Sequence, residues 1–297
     1  MAAGHLLAST TRSSVTATPR PLGPEGTGAA AERPATLPAA GRTGRVRSLR
    51  RRLGGVVVAL AVWEILNATG AVTSQALPSV QATAAKLVDQ AGPLVSSAGD
   101  TLRAWAVGLA IAAVAGVALG ALVGRSRVAQ ASTETLVRMM RPLPSLALIP
   151  VAILIAGLGL EMTAGLVAFT SFWPIFINTR YGVQQVDIRL VETARTLDLR
   201  GLSLVGRVVL PAAAPMIASG VQVAISLALV VTVSVELVGG TGGIGSYVLQ
   251  AQQANAVSSM YAGIIVGGTL GWALNTGYGV LVRRALPWRD RSQRSAS

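Results

Sequence analysis

Away from the termini, charged side chains are densest in the stretch Val186–Pro215, which reads VDIRLVETARTLDLRGLSLVGRVVLPAAAP. It brings carboxylates and guanidinium groups close together, a combination suited to ion pairing between surfaces. Residues three apart lie side by side on a helix, so Glu192 is close enough to pair with Arg189 or Arg195. The stretch therefore predicts either a charged contact surface or a solvated connecting loop.

Several other chemistries are excluded by composition. The chain has no cysteine, and its one histidine, His5, lies in a polar tail, so thiol chemistry, histidine metal sites and catalytic triads are excluded. There is no GxxxxGK[ST] phosphate loop, so this chain does not hydrolyse ATP by itself. Glu64 and Glu236 are the ionisable residues expected near or within apolar runs, and a ladder of paired intramembrane charges is missing. We expect no bound cofactor or metal and no enzymatic activity.

The charged stretch is expected to form a helix, a turn and a second, shorter helix. Asp187 is a suitable N-cap, Gly201 and Ser203 are expected to end the first helix, and Pro211 opens the next apolar run. The first helix is expected to be amphipathic. Its polar face would carry Arg189, Glu192, Thr196 and Arg200, and its apolar face Ile188, Val191, Ala194 and Leu197.

The composition indicates a polytopic membrane protein of the all-α class. Hydrophobic residues make up 52% of the 297 residues and charged residues 12%, whereas a soluble domain carries about 25% charged residues. The net charge of +13 comes almost entirely from arginines that flank apolar runs. That placement indicates membrane topology, so nucleic acid is not an expected partner and membrane lipid is.

We expect three regions along the chain. Residues 1–52 contain few large apolar side chains and are expected to be a disordered basic tail. Residues 53–285 form the membrane domain, and residues 286–297 form a second short tail. An arginine-led signal peptide is the alternative at the N-terminus, but Glu64 in the apolar stretch and the missing A-x-A site favour an uncleaved first span.

Six apolar runs approach the roughly 20 residues that a membrane helix requires. The expected spans are Leu53–Val72, Ala104–Gly124, Leu143–Leu160, Met162–Thr179, Ala212–Val235 and Ser258–Val282. The third and fourth are expected to be joined by a tight turn around Glu161. Val186–Pro215 then lies between spans four and five.

Positive charge orients these spans. With the N-terminus in the cytoplasm, the inner segments hold every arginine and lysine except Lys86 and Arg103. This arrangement predicts that both termini and Val186–Pro215 are cytoplasmic, and that Gly239–Gly245 (GGTGGIG) is external. An external glycine cluster is expected to be a flexible or re-entrant loop in preference to a phosphate site.

Two further features have alternative interpretations. Glycines recur at four-residue spacing in spans two and six, which allows close helix packing within or between subunits. These rows are Gly116, Gly120 and Gly124, and Gly263, Gly267 and Gly271. Glu236, at the outer end of span five, is either an interfacial acid that faces water or part of an outer gate.

The spacing within Val186–Pro215 resembles the EAA loop in the membrane subunits of bacterial ABC importers. That motif is Glu-Ala-Ala, three residues, Gly, nine residues, Ile, one residue and Leu-Pro. Here Glu192-Thr193-Ala194 precedes Asp198 at the glycine position, Val208 at the isoleucine position and Leu210-Pro211. Asp198 is the main departure, because the motif's glycine lies at the turn between two short helices; Gly201 or a tolerant aspartate is expected to make the turn.

The resemblance extends from about Trp63 to the sixth span and is strongest to permeases for nitrate, sulfonates and taurine. The similar stretches include Trp63-Glu64, Leu77-Pro78-Ser79, Thr101-Leu102-Arg103, Arg141-Pro142-Leu143-Pro144, Glu236-Leu237 and Gly243-Ile244-Gly245. It implies the permease subunit of an ATP-driven importer in a bacterial cell (inner) membrane.

The resemblance also implies partners and roles. Two permease subunits pair, two ATP-binding subunits dock on the cytoplasmic face, and an extracytoplasmic solute-binding protein delivers the solute. The implied ATPase-coupling residues are Glu192, Ala194, Arg195, Leu197, Asp198, Leu210 and Pro211. The alternatives are an ion-gradient-driven carrier or channel that acts without an ATPase, and a membrane scaffold.

Overall fold

The computed structural model describes residues 43–70, 73, 76–140 and 144–287. All regular structure in these residues is helical, which confirms the predicted all-α class. The α-helices are α1 Thr43–Ala68, α2 Val80–Asp89, α3 Ala91–Gly124, α4 Arg127–Met140, α5 Ile149–Ala156, α6 Leu160–Gln184, α7 Ile188–Thr196, α8 Gly201–Leu204, α9 Leu210–Gly239, α10 Gly243–Gln253 and α11 Val257–Ala285. A 3₁₀ turn, Ser145–Leu148, precedes α5, and a π-helical segment, Val205–Val209, joins α8 to α9.

Four helices in the described part of the chain are long and apolar enough to cross a membrane. They are α3, α6, the continuous α8–α9 helix and α11, and they correspond to the expected spans two, four, five and six. The first expected span corresponds to the shorter apolar helix Gly54–Ala68. The third corresponds to the bent pair formed by α4 and α5, which would raise the number of spans to five.

The predicted third span, Leu143–Leu160, is not one continuous helix. The run is divided between the 3₁₀ turn and α5, an eight-residue helix. Pro144 precedes the turn and Pro150 occupies the first turn of α5, where its missing N–H is harmless. Helix α5 ends at Ala156, and Gly157 and Gly159 follow it with φ of +69° and +149°. The turn to α6 is therefore made by these glycines, and Glu161 lies inside the first turn of α6.

The core of the bundle is a close seam between α3 and α6, which run parallel. A Cβ atom on Gly120 would lie 2.7 Å from Thr179 Cβ and 2.8 Å from the Phe176 carbonyl oxygen. The same glycine row meets Ile175 and Val183 at Gly116 and Gly124. Small residues let the two backbones approach, so this row packs within the chain. In the α11 row, Gly263 and Gly271 likewise contact side chains of α10 and α9.

The bundle has two ends, which are named here by the short helices that lie at them. α9 runs antiparallel to α6, from Val209 near α7 to Glu236 near α10. We call these the α7 end and the α10 end. The compact unit that contains them begins at Gly54. Helix α1 starts at Thr43, earlier than the predicted tail boundary at residue 52. Residues 1–42 and 288–297 of the predicted tails lie outside the described residues.

Candidate functional site

The start of helix α7 is fixed by a capping side chain. Asp187 Oδ1 accepts a hydrogen bond from the Arg189 backbone N–H at 2.9 Å, which confirms the predicted N-cap. The helix ends at Thr196. The predicted polar face was therefore too long, because Arg200 lies beyond the turn, where its Nε pairs with Asp198 Oδ1 at 3.2 Å.

Asp198 itself makes the turn. Its φ is +58°, the left-handed conformation that glycine adopts without cost and that aspartate tolerates better than most residues. Gly201 is also left-handed, with φ of +55°. Asp198 and Gly201, the two residues expected to make the turn in place of the motif's glycine, thus both adopt the left-handed conformation. The aspartate at the glycine position leaves the turn intact.

Replacing Asp198 by valine is expected to destabilise this turn, whereas glycine should be tolerated. A left-handed conformation costs an ordinary L-residue about 1–2 kcal/mol, and a β-branched side chain is the least suited to it. The measurement is the thermal unfolding midpoint of the purified chain. Arg200→Ala is the control, because it removes the exposed ion pair alone and should have little effect. A midpoint for Asp198→Val equal to that of the wild type would contradict the account.

The apolar residues of α7 divide into a packed set and an exposed set. Ala194 is buried and belongs to a cluster with Leu204 and Val209 that closes the α7 end of the bundle. Leu197, which the sequence placed on the same face, is 72% exposed. Large apolar side chains stay exposed along this segment, and we call them the α7–α8 apolar surface: Ile188, Leu190, Leu197 and Leu202.

The ion pairs expected of Glu192 are not formed. Among the described residues, Glu192 lies within 4.0 Å of no arginine or lysine nitrogen, and it is exposed. Arg195 instead lines a cavity between α7 and the bundle, together with Val191 one turn earlier. Glu192 and Arg195 thus lie in different surroundings.

The connection from α7 to the bundle is more continuous than predicted. Pro211 does not open a separate helix, because α8, the π-helical segment and α9 form one helix, Gly201–Gly239. The Leu210 N–H donates to the Val205 carbonyl, five residues back. Pro211 follows at once and has no N–H, so the wider π turn absorbs the break that proline would otherwise cause. Helix α8 is therefore joined to a candidate span without a break.

At the α10 end, Glu236 is buried among polar partners, with 2% of its surface exposed. Its Oε2 accepts hydrogen bonds from Thr101 Oγ1 and from the Gly245 N–H, both at 2.9 Å. Thr101 Oγ1 in turn accepts from the Ile244 N–H at 2.9 Å. The interpretation of Glu236 as an acid that faces water was wrong, because its carboxylate binds the N-terminus of α10 instead.

The glycine cluster before α10 is an ordered turn. Gly240, Gly242 and Gly243 all have positive φ, and the amides that follow are already bonded to Thr101 and Glu236. The anion at this helix N-terminus is the chain's own carboxylate, which leaves no reason to assign a phosphate site. Nearby, outside the candidate spans, burial raises the pKa of the Tyr247 phenol.

Replacing Glu236 by alanine is expected to destabilise the chain by about 2–6 kcal/mol. It would leave two buried donors, the Thr101 hydroxyl and the Gly245 N–H, without an acceptor, and each costs about 1–3 kcal/mol. The unfolding midpoint of the purified chain measures this. Glu236→Gln is the matched control, since it keeps the volume and one acceptor oxygen. The assignment fails if the alanine and glutamine variants unfold at the same temperature.

An ion pair between α4 and α6 was not anticipated from the sequence. Arg180, 4% exposed, donates from both terminal nitrogens to Glu134 Oε2 at 3.0 Å. Arg138, four residues after Glu134, pairs with its other oxygen. The sequence predicted that Arg180 lies in the segment between spans four and five. Its position directly after an apolar run was the available signal that it packs against the helices.

Two stretches that carried the resemblance meet in space at the α10 end. Trp63 Nε1 donates to the Pro78 carbonyl at 2.8 Å, and Glu64 Oε2 accepts from the Val80 N–H at 3.1 Å. Ser79 caps α2 by accepting from the Ala82 N–H. These contacts fix the end of α1 against the start of α2.

Comparisons with known proteins agree with this architecture. Residues 112–289 match the family described as binding-protein-dependent transport system inner membrane component. The nitrate import permease protein NrtB of Leptolyngbya laminosa is 28% identical over 254 residues, covering 81% of this chain and 90% of the relative. The bicarbonate transport system permease protein CmpB of Synechococcus elongatus is 30% identical over 268 residues, covering 84% and 94%.

A Bacillus subtilis permease protein named for aliphatic sulfonate transport, SsuC, is 30% identical over 236 residues, covering 78% of this chain and 85% of the relative. The inward-facing MetNI methionine ABC transporter has a chain with a similar fold: the TM-score is 0.57 at 18% identity, with 66% of this chain and 97% of that chain covered. The chain is therefore a member of the binding-protein-dependent transport system inner membrane components, the permease subunits of ABC transporters.

Proposed function

We propose that this chain forms the translocation pathway of an ATP-driven importer for a small anionic solute, and that a separate ATPase drives it through Val186–Pro215. The observation that carries the proposal is the α7–α8 apolar surface. Exposed leucines such as Leu197 and Leu202 suit a partner's groove, while Ala194 holds the same segment to the bundle. Family membership supports the two partner types, an ATP-binding subunit and a solute-binding protein.

The proposed transmission path follows the chain. A partner that displaces α7 would move α8, and the continuous Gly201–Gly239 helix would carry that motion to Glu236 at the α10 end. There Glu236 holds α10, so the same helix would reposition the external turn. This arrangement supports a role for Glu236 in the outer gate, through its bonds to Thr101 and Gly245.

The orientation is proposed from charge. Arginines cluster at the α7 end, which includes Arg125, Arg195 and Arg207, and positively charged segments favour the cytoplasm. The α7 end and both termini are then cytoplasmic, and the α10 end faces the binding protein. We further propose a permease homodimer with two ATPase copies, as the family resemblance implies.

The proposed solute is an oxyanion or sulfonate. Relatives are named for nitrate, bicarbonate and aliphatic sulfonate transport, which share a compact anionic group. The chain, its ATPase and its binding protein are to be reconstituted in proteoliposomes, and uptake measured with labelled nitrate, bicarbonate, taurine and alkanesulfonates. We expect uptake of one of these to need ATP and all three components. Uptake by the permease alone, driven by an ion gradient, would contradict the proposal and favour a secondary carrier.

A further inference from the structure

A cavity of about 530 Å³ lies at the α7 end, between the ends of α3 and α6 and the inner side of α7. Two arginines and two glutamines contribute to its wall, together with apolar side chains from α7 and α8. The residues that matter here are Arg125, Gln130, Gln184, Val191, Arg195 and Leu204. Among the described residues its lining includes no aspartate or glutamate, so the two arginines make the cavity positively charged.

Both arginines keep donors available. Arg125 follows the last residue of α3, and its Nη1 makes one long hydrogen bond, 3.4 Å, to the Gly201 carbonyl. Arg195 projects from α7. In the described part of the chain, neither makes an ion pair with a carboxylate. Glu134 lies one turn after Gln130 on α4, and its carboxylate is already paired with Arg138 and Arg180.

We propose that this cavity binds an oxyanion, held between Arg125 of the bundle and Arg195 of α7. Guanidinium groups present planar pairs of N–H donors that match phosphate, sulfate and related anions, and the cavity is large enough for such a group. The anion would neutralise two like charges that line the same cavity. It would thereby link α7 to the end of α3.

The oxyanion has two sources with the same chemistry, a phospholipid headgroup phosphate at the membrane surface or a free anion in solution. Basic pockets between helix ends are suited to anionic headgroups. The inference does not depend on ATPase coupling, because it concerns binding to the permease itself.

The test uses the purified full-length chain and the double variant Arg125→Gln/Arg195→Gln. The matched control is Arg189→Gln, which removes one arginine from the same helix but outside the cavity lining. Equal far-UV circular dichroism and equal unfolding midpoints in chloride establish that the variants are folded. If the double variant does not fold, the single variant Arg195→Gln takes its place.

The first arm measures unfolding midpoints of lipid-depleted protein in sulfate or phosphate against chloride at equal ionic strength. The second arm measures, by native mass spectrometry, how much phosphatidylglycerol is retained relative to phosphatidylcholine from an equimolar mixture. We expect the wild type and Arg189→Gln to show a rise of at least about 2 °C in the first arm, or several-fold phosphatidylglycerol preference in the second. The double variant should lose that effect.

A response that Arg189→Gln keeps and the double variant loses supports the site, and the arm that shows it identifies the source of the oxyanion. Two results would overturn it. One is the absence of any anion-specific effect in both arms for the wild type. The other is an equal response in Arg189→Gln and the double variant, whether both keep the effect or both lose it, since Arg125 and Arg195 would then have no specific part in anion binding.

Discussion

Replacing Gly120 by valine is expected to separate α3 from α6 and to prevent accumulation of folded permease. The Cβ atom that valine adds at this position would lie 2.7 Å from Thr179 Cβ and 2.8 Å from the Phe176 carbonyl oxygen. The second contact is to backbone, which cannot move without shifting α6, so the cost should exceed the 1–3 kcal/mol usual for overpacking and reach at least about 3 kcal/mol. The measurements are the amount of protein in the membrane and its unfolding midpoint in detergent.

Gly99→Val is the matched control for Gly120→Val. It lies on the same helix, but no atom approaches within 4 Å of its added Cβ. We expect Gly99→Val to behave like the wild type. If the two variants have equal midpoints, the α3–α6 seam does not depend on the glycine row.

Placing two carboxylates on the α7–α8 apolar surface, by Leu197→Asp with Leu202→Asp, is expected to uncouple the permease from its ATPase. The side chains are 72% and 83% exposed, so the permease alone should fold normally. A partner that buries both positions would then desolvate two unpaired charges at a cost of several kcal/mol. Solute-stimulated ATP hydrolysis by the reconstituted complex should fall at least about tenfold.

The control for the leucine variants is Val88→Asp, which alters an exposed apolar residue of α2 at the opposite end. Co-purification of the ATPase with the permease should survive in this control. Normal co-purification together with unchanged hydrolysis in the double leucine variant would show that the partner does not contact this surface.

The membrane helices were predictable because the bilayer imposes a length of about 20 apolar residues. Apolar runs such as Ala104–Gly124 have this length, and in the structure they lie within longer helices. The helix bounds within the third expected span were not predicted, because apolar content says nothing about backbone conformation. Gly157 and Gly159 terminate α5 through positive φ angles, which hydropathy does not register.

The site was only partly predictable, for a different reason. The N-cap at Asp187 and the turn at Asp198 are local and follow from neighbouring residues. Glu236 could not be assigned, because its partner Thr101 is 135 residues away along the chain. Arg195 is a similar case. Its spacing from Glu192 favoured an ion pair, but in the structure it lines a cavity together with residues of α3 and α6, which are distant along the chain.

The central claim is that α7 is where the ATPase drives this permease, and a cysteine at position 197 tests it directly. The chain contains no cysteine, so Leu197→Cys provides a single reactive thiol, and Val88→Cys provides its control at the opposite end. With a short bifunctional cross-linker in the assembled complex, the account predicts that the cysteine at 197 links to the ATPase and that the link stops solute-stimulated hydrolysis, while the cysteine at 88 does neither. A link to the ATPase from position 88, or none from position 197 in an active complex, would contradict it.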